Sequence, residues 1–323
     1  MLDNTIKEQL KNIFSRLSSD IALRMSSRPD DIRGAEMLEF LQDVASTSPR
    51  LSVETEEADT EAPEFGIVKA GTPTGVRFCG IPNGHEFSTL LLAVLNADGL
   101  GKNLPDAALT ARIKALRGPL KLRTFVSLTC TNCPDVAQAL NVIALLNPQV
   151  EHTVTDGAVV PGVVSELDIK SVPAVYAGDT PVSVGRITLG ELLAKLEKAC
   201  GTSQCSDDVA PTVREYDVTV LGGGPAGCAA AIYCARKGFT TAVVAGAIGG
   251  QVLETMDIGN LISVNSTTGP QLAANLKAHM ADYPIEIFEN RIVNSAAIEG
   301  PEKELRCTGE TFRSRALIIA TGA

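Results

Sequence analysis

The sequence predicts an α/β protein in which two copies of one small unit precede a nucleotide-binding unit. Three observations lead to this prediction: a strand that runs into a Cys-x-x-Cys pair at a helix start, a repeated turn sequence, and a glycine-rich turn between a strand and a helix. With 323 residues, of which 45% are hydrophobic and 20% charged, the chain suits two or three globular domains.

Composition excludes several classes of protein. A net charge of −10 argues against nucleic acid or an anionic membrane as partner. No apolar run reaches the roughly 18 residues that a membrane span needs. The first residues, Met1-Leu-Asp-Asn-Thr-Ile-Lys7, show no basic region followed by an apolar one, so no secretory signal is expected. Eight cysteines are too few for a disulfide scaffold of this length, and a reducing cytoplasm is the expected location.

The Cys-x-x-Cys pair lies at a strand-to-helix junction. Residues 122–129 read as a strand, and a helical apolar stripe follows Pro134. First-turn amide groups and the helix dipole would stabilise a thiolate on Cys130, which can attack a disulfide. Cys133, one turn later, can resolve the resulting mixed disulfide. Pro134 costs no needed hydrogen bond in the first turn.

The alternative is half of a zinc site. A structural zinc ion needs four ligands at recognisable spacing. The other cysteine pair, Cys200 and Cys205, has four residues between its members and lies far along the chain. We therefore favour dithiol chemistry, expect no metal, and assign no role to Cys200 and Cys205. A lone Cys79, within a predicted strand, is interpreted as a small buried hydrophobe.

The earlier part of the chain alternates helical and strand patterns. Helices are predicted at 2–17, 31–46, 84–98 and 106–117, and strands at 51–53, 65–69 and 76–81. The acidic run 54–64 is interpreted as a solvated hairpin between two of these strands, because like charges repel and need water.

Turn sequences repeat at a near-constant offset. Ser48-Pro49-Arg50-Leu51 recurs as Asn147-Pro148-Gln149-Val150, 99 residues later. The repeat suggests two copies of one supersecondary unit, although chance similarity stays open for so short a match. The same offset places Asp31 and Gly34 opposite the two cysteines, so the first copy lacks the dithiol.

Pro173 begins a predicted strand in the second copy. An X–Pro bond at a strand start is a candidate cis peptide, and a trans proline at a strand edge is the alternative. A Cys-x-x-Cys helix followed about forty residues later by such a proline is similar to the thioredoxin fold. That resemblance implies a cis Pro173 that faces the dithiol.

A dinucleotide fingerprint follows in a complete βαβ unit. Residues 216–221 form a strand, and Gly222, Gly224 and Gly227 have the G-x-G-x-x-G spacing before an alanine-rich helix. The next predicted strand, 240–244, runs into Ala245-Gly-Ala-Ile-Gly-Gly-Gln251 without the acidic residue that usually binds the ribose.

Three segments extend the resemblance. Gly249-Gly250-Gln251, Asp257-Ile-Gly-Asn260 and the terminal strand 316–323 are similar to thioredoxin-reductase-like flavoproteins. With the N-terminal repeat, the chain resembles the F-type flavoprotein family of the alkyl hydroperoxide reductases, whose members pass electrons from NADH to a peroxiredoxin. The resemblance implies tandem thioredoxin-like folds followed by a partial FAD-binding, Rossmann-like, doubly wound domain. The expected limits are 1–103, 104–200, a linker at 201–215, and 216–323.

The resemblance also implies the site residues. Glu86 would lie near the dithiol and accept a proton when Cys133 attacks, whereas from the sequence alone it is a carboxylate in a first helical turn, where it is favourable anyway. The implied catalytic residues are Cys130, Cys133, Glu86 and Pro173. The implied FAD-binding residues are Gly222, Gly224, Pro225, Ala226, Gly227, Gly249, Gly250, Gln251, Asn260, Thr321 and Gly322.

One departure from the family shapes the functional expectation. Family members continue into an NADH domain with its own cysteine pair, and this sequence ends at Ala323. We therefore expect weak or absent FAD and no NADH-driven activity from this chain alone, with a peroxiredoxin subunit as disulfide substrate of the complete enzyme. The alternative is a non-reducing module that exchanges disulfides or docks a partner. The resemblance also allows a homodimer.

Overall fold

The helices and strands divide between two units, residues 1–203 and 204–323. The computed structural model describes residues 2–203 and 211–322. Cys205 and the middle of the predicted linker, residues 204–210, lie outside the described residues. Within these two ranges, no helix combines the length and the apolar character that crossing a bilayer requires.

The first unit alternates strands and helices. Its strands are β1 (Ile21–Ser27), β2 (Leu51–Glu57), β3 (Glu64–Lys69), β4 (Thr72–Cys79), β5 (Leu120–Val126), β6 (Val150–Asp156), β7 (Ala174–Ala177) and β8 (Thr180–Val184). Its helices are α1 (Asn4–Phe14), α2 (Ile32–Ala45), α3 (Phe87–Ala97), α4 (Ala107–Ala115), α5 (Cys133–Leu146), α6 (Pro161–Glu166) and α7 (Leu189–Cys200). Two 3-10 turns, Gly84–Glu86 and Gly157–Val159, complete it.

One sheet runs through the whole unit, in the order β2-β1-β3-β4-β6-β5-β7-β8. Each half has the same internal order, and in each the first two strands are parallel while the last two pair antiparallel. Ile21 pairs with Leu51 in the first half and Leu120 with Val150 in the second, so the offset of 99 residues holds in the strand register. The halves join where β4 pairs in parallel with β6.

Local sequence explains where the helices begin. The Asp3 side chain accepts a hydrogen bond from the amide of Ile6 at the start of α1, and Asp31 accepts one from Arg33 at the start of α2. Thr188 and Glu191 form a capping box at α7. These caps satisfy amide groups that have no partner inside the helix.

The predicted acidic hairpin is wrong. Strand β1, which the sequence pattern did not reveal, lies between β2 and β3 and pairs with both. Residues 54–57 therefore belong to a strand at the edge of the sheet, with their side chains exposed. The alternation of β1 is broken by two consecutive buried residues, Met25 and Ser26.

The second unit is a smaller α/β sandwich. Its strands are β9 (Thr212–Leu221), β10 (Thr241–Val244), β11 (Ile285–Phe288), β12 (Val293–Ala297), β13 (Lys303–Cys307) and β14 (Glu310–Ile319), and its helices are α8 (Pro225–Arg236) and α9 (Gly269–Ala281). The sheet order is β11-β10-β9-β14-β13-β12. The first four strands run parallel, and β13 is antiparallel to both of its neighbours.

The first strand of this unit starts earlier than expected. Strand β9 begins at Thr212 rather than residue 216, because Thr212–Glu215 pair with the start of β14. Apolar residues of β9, β10 and α8 form the core on one side of the sheet. The carboxyl ends of the parallel strands are thus fixed at one edge, where α/β proteins place their ligands.

Candidate active site

The dithiol lies between β5 and α5. Cys130 and Cys133 form a disulfide whose Cα atoms are 5.5 Å apart. Helix α5 begins at Cys133, with Pro134 in its first turn and no side chain capping its amide groups. Cys130 is half-buried, whereas Cys133 is fully buried. In the reduced protein the uncapped amide groups at this helix start favour a thiolate.

Pro173 lies across the site from the dithiol. The Val172–Pro173 peptide bond is cis. The Sγ of Cys130 is 3.9 Å from the carbonyl oxygen of Val172, so the residue before the proline borders the exposed sulfur. A second cis bond, Gly118–Pro119, precedes β5 and was not anticipated from the sequence.

Glu86 comes from the first half of the sheet unit and ends a 3-10 turn. This turn packs against α5, and the backbone amide of His85 donates to the carbonyl oxygen of Leu128, two residues before Cys130. Glu86 is 1% exposed, and no hydrogen bond of good geometry reaches its carboxyl oxygens among the described residues, although the Thr89 side chain lies close enough to favour the charged form weakly. Burial disfavours the charged form and raises the pKa of Glu86 to about 7.

A buried polar network lies in the core of the second half, and sequence reasoning missed it. His152 on β6 contacts the Thr124 hydroxyl through Nε2 at 2.7 Å and the Asn141 amide oxygen on α5 through Nδ1 at 2.7 Å. Burial lowers the pKa of His152 to about 3, which keeps the ring neutral. The network connects the dithiol helix to the two strands beneath it. Asn141, a polar residue beside the apolar stripe of α5, was the available signal.

Cys79 is 6% exposed on β4, and burial raises the pKa of its thiol to about 11. Its interpretation as a buried hydrophobe therefore agrees with the structure. Cys200, at the end of α7, is half-buried with a raised pKa, again because of burial.

Alkylation should distinguish the two sulfurs of the dithiol. In the reduced protein at mildly acidic pH, iodoacetamide is expected to modify Cys130 before Cys133, because Cys130 is the more exposed and its pKa should lie below the roughly 8.5 of a free cysteine. Mass spectrometry of tryptic peptides over time measures the order. Equal labelling, or faster labelling of Cys133, would reverse the assignment of attacking and resolving thiols.

The raised pKa of Glu86 predicts a pH-dependent stability. Its folded-state pKa of about 7 exceeds the ordinary 4.5, so the fold is penalised once the unfolded chain ionises. The penalty is absent below the ordinary value, grows as pH rises, and is complete above about 7, at roughly 3 kcal/mol. Glu86→Gln removes it. Urea unfolding at about pH 4 and about pH 8 should therefore show the variant gaining on the wild type at the higher pH. A stability difference that is independent of pH would contradict this expectation.

The glycine-rich turn of the second unit has the geometry that the fingerprint implies. Gly222 follows β9 with a φ of +117°, and a Cβ there would collide with the carbonyl oxygen of Ala320. A Cβ on Gly227 would collide with the carbonyl oxygen of Gly222, so helix α8 approaches the strand closely. Gly224 is the N-cap of α8, offers no side-chain cap, and faces open space.

These residues line a cleft of about 860 Å³ at the carboxyl ends of the parallel strands. The sequence-derived residues in its lining are Gly222, Gly224, Pro225, Ala226, Gly250, Gln251, Thr321 and Gly322. Gly227 lies behind the lining, and the amide of Gly249 donates to the Gly223 carbonyl oxygen, which fixes the loop. The structure does not bring Asn260 into the cleft: it lies in an exposed segment.

The lining of the cleft suits the pyrophosphate of a dinucleotide but lacks the carboxylate that usually binds its ribose. The uncapped start of α8 and the room before Gly224 suit a pyrophosphate group. Of the described residues that line the cleft, none is acidic and Arg291 is charged. Arg291, which sequence reasoning missed, pairs with Glu310 at 2.7 Å. The ribose carboxylate is thus missing in the structure as in the sequence.

Comparisons with known proteins match both parts of the chain. The thioredoxin domain family matches residues 121–198, and the pyridine nucleotide-disulphide oxidoreductase family matches residues 216–323. The full chain is 41% identical to a protein named NADH dehydrogenase from Bacillus subtilis and 39% identical to the F-type subunit of alkyl hydroperoxide reductase from Pseudomonas aeruginosa. The chain spans 62% of the length of each relative.

A solved structure matches the first unit. The NTD_N/C domain of alkylhydroperoxide reductase AhpF from Enterococcus faecalis superposes with a TM-score of 0.56 and 34% identity, covering 61% of this chain and 100% of that one. These matches confirm the predicted fold class, a thioredoxin-like part followed by a Rossmann-like part. By sequence and by structure, the chain belongs to the AhpF family, the F-type flavoproteins of the alkyl hydroperoxide reductases.

Proposed function

We propose that this chain is a thiol–disulfide oxidoreductase that relays electrons from a flavin- and NADH-dependent reductase to the disulfide of a peroxiredoxin, and so serves peroxide detoxification. The observation that carries the proposal is the Cys130–Cys133 disulfide at the start of α5, with one sulfur half-exposed and the other buried. The name of the P. aeruginosa relative, alkyl hydroperoxide reductase, supports a peroxide-reducing system as the acceptor. The name of the B. subtilis relative, NADH dehydrogenase, supports NADH as the electron donor.

Each residue has a role in the exchange. The reduced Cys130 thiolate attacks one sulfur of the partner disulfide, forms a mixed disulfide and releases the other partner sulfur as a thiolate. Cys133 then loses its proton to Glu86 and attacks Cys130, which forms the protein disulfide and releases the second partner thiolate. Two electrons move from the dithiol to the partner, whose thiolates take protons from solvent. Pro173 and the Val172 carbonyl shape the groove beside Cys130.

A base with a pKa near neutrality suits this step. General acid–base catalysis is most effective when the pKa of the group lies near the working pH. An ordinary glutamate would be a much weaker acceptor for a thiol proton, whereas the buried Glu86 has a pKa of about 7. We further propose that the first half, residues 1–103, carries no exchange chemistry and supplies this base to the second half, residues 104–200.

We propose that the cleft in the second unit holds FAD. Its pyrophosphate would lie at the start of α8, near Gly224, Pro225 and Ala226, with Gly250, Gln251, Thr321 and Gly322 along its length. When bound, the flavin supplies the electrons that reduce a disulfide. The cytoplasm is the proposed location, supported by Cys79, Cys200, Cys228 and Cys234, which remain as thiols.

A second candidate function is disulfide exchange without flavin. The missing ribose carboxylate favours it, because the cleft lacks one charge-assisted hydrogen bond to the dinucleotide. The absorbance spectrum of the purified protein separates the two: flavin bands support the relay, and their absence supports exchange alone.

A transfer experiment tests the proposed function. The chain is reduced with dithiothreitol, freed of reductant and mixed with an oxidised peroxiredoxin. One partner disulfide should be reduced for each Cys130–Cys133 pair that forms, as measured by thiol titration and mass spectrometry. A peroxiredoxin that stays oxidised while a small disulfide reagent is reduced would reject the peroxiredoxin as substrate.

A further inference from the structure

The first half of the sheet unit has an open groove between α2 and the end of β2. The groove measures about 450 Å³, which is within the size range of binding clefts. Its lining includes apolar side chains on β1 and α2, namely Met25, Ala35 and Leu38, and two carboxylates on β2, Glu56 and Glu57. None of its lining residues belongs to the dithiol site or to the nucleotide cleft.

The repeat places a filled counterpart of this groove in the second half. Ser27 and Glu57 are register partners on β1 and β2, and 99 residues later Val126 and Asp156 are register partners on β5 and β6. Val126 and Asp156 line a space of only about 10 Å³. The counterpart is filled by the chain after β4, because residues 80–82 line the same space and the 3-10 turn that follows them packs against α5.

In the second half, the filling segment enters along a strand. Strand β4 pairs in parallel with β6 before the chain turns into the counterpart of the groove. The corresponding outer edge of β2 has no partner strand among the described residues. An exposed edge of this kind can receive a strand from another polypeptide. The first half therefore has the same edge strand and the same groove that seat a polypeptide segment in the second half.

The charges of the groove define the segment that fits it. Arg28 and Asp31 in the lining each have an ion-pair partner, whereas Glu56 and Glu57 have none among the described residues. The hydroxyl of the buried Ser26 donates to a carboxyl oxygen of Glu56 at 2.6 Å, which holds that carboxylate in place. A lysine or arginine of a partner would complement these two carboxylates, since opposite charges across an interface favour the encounter.

We propose that the groove is a docking site for a basic segment of a separate protein. The segment adds a parallel strand to β2, as β4 does to β6, and then turns into the groove. An apolar side chain of the segment packs against the α2 side of the groove, and a nearby lysine or arginine pairs with Glu56 and Glu57. The first half thereby recognises a partner, although it lacks a dithiol.

A synthetic peptide tests the site. The probe has the sequence of residues 76–87, the segment that fills the counterpart, with Cys79→Ser to prevent disulfide formation and Glu86→Lys to supply the cation. Glu86 and Asp156 line the same space, and Asp156 corresponds to Glu57, which brings the lysine to the side of the groove that carries Glu57. The same peptide with Glu86 retained is the control. Fluorescence anisotropy of the labelled peptides measures their binding to the full chain.

The lysine peptide is expected to bind about tenfold or more tightly than the glutamate peptide, because attraction to the groove replaces repulsion. Added salt should reduce this difference. The double variant Glu56→Gln/Glu57→Gln should bring the two peptides to similar affinities. The matched control is Glu36→Gln/Glu39→Gln, which removes two exposed carboxylates of α2 outside the lining and should keep the difference.

Ala35→Leu tests the groove itself. Ala35 is exposed on α2 and lines the groove, so a leucine there suits the helix and occupies the space that the partner side chain needs. The affinity for the lysine peptide should fall about tenfold or more. If Ala35→Leu does not fold, Thr55→Arg blocks the groove from β2, where Thr55 is exposed.

Failure of the lysine peptide to bind, equal binding of the two peptides, or a preference that survives Glu56→Gln/Glu57→Gln would overturn the proposal. Light scattering distinguishes a second copy of the chain as the occupant. An oligomer that Ala35→Leu dissociates would assign the groove to that second copy and overturn its assignment to a separate protein. The binding experiment requires neither the dithiol nor a flavin, so its outcome is independent of the proposed function.

Discussion

Serine at either position of the dithiol should abolish turnover of a disulfide substrate, with a loss on the order of a thousandfold or more, because serine cannot form or resolve a mixed disulfide. The two variants should fail at different steps. Cys130→Ser leaves only the fully buried Cys133, so no adduct with the substrate should form. Cys133→Ser retains the half-exposed nucleophile, so the mixed disulfide should accumulate.

Non-reducing gels and intact mass spectrometry measure the difference. The matched control is Cys200→Ser, because Cys200 is also half-buried and lies in the first unit, at the end of α7. It should exchange at the wild-type rate. A stable adduct in Cys130→Ser, or full turnover in Cys133→Ser, would refute the assignment of attacking and resolving thiols.

A carboxylate introduced just after β10, where the acidic residue that usually binds the ribose is missing, should strongly increase the affinity for FAD. Gly246 lines the cleft just after β10, and a Cβ there would meet no atom within 4 Å. Gly246→Glu is therefore expected to fit and to accept hydrogen bonds from the ribose hydroxyls of FAD. Such a charge-assisted bond contributes roughly 1.5–3 kcal/mol, or about ten- to a hundredfold in affinity.

Fluorescence quenching of FAD measures this gain. Gly246→Gln, of equal size without the charge, is the control and should gain much less. Equal affinities in the wild type and Gly246→Glu would mean that the ribose does not lie at the end of β10, and the proposed FAD orientation would have to be abandoned.

Short-range chemistry made much of the fold predictable. The Cys-x-x-Cys helix and the helix of the glycine-rich turn depend on residues close in sequence, and the repeat was visible as short matching turns 99 residues apart; each is present in the structure. The broken alternation hid strand β1, and without β1 the acidic strand β2 was wrongly paired with β3. Strand partners separated by dozens of residues leave little local trace.

Contacts between residues distant in sequence were also hard to predict at the dithiol site and at the cleft. The types and spacing of Cys130 and Cys133 identify them, because their chemistry needs a helix start that the sequence itself encodes. Arg291 has no such pattern, since only the packing of distant strands brings it to the cleft. The surroundings of Glu86 follow from the joint between β4 and β6, which no local pattern encodes.

The edge position of β2 gives the acidic run a physical meaning. An exposed edge strand offers unpaired backbone groups to any second strand, which is a route to aggregation. Joining two halves through β4 and β6 removes two such edges and leaves β2 and β8. Along β2, Glu54 and Glu57 are exposed. If the β2 edges of two molecules met, their carboxylates would lie close together and repel. The acidic residues therefore disfavour pairing of the sheets of two molecules into one continuous sheet.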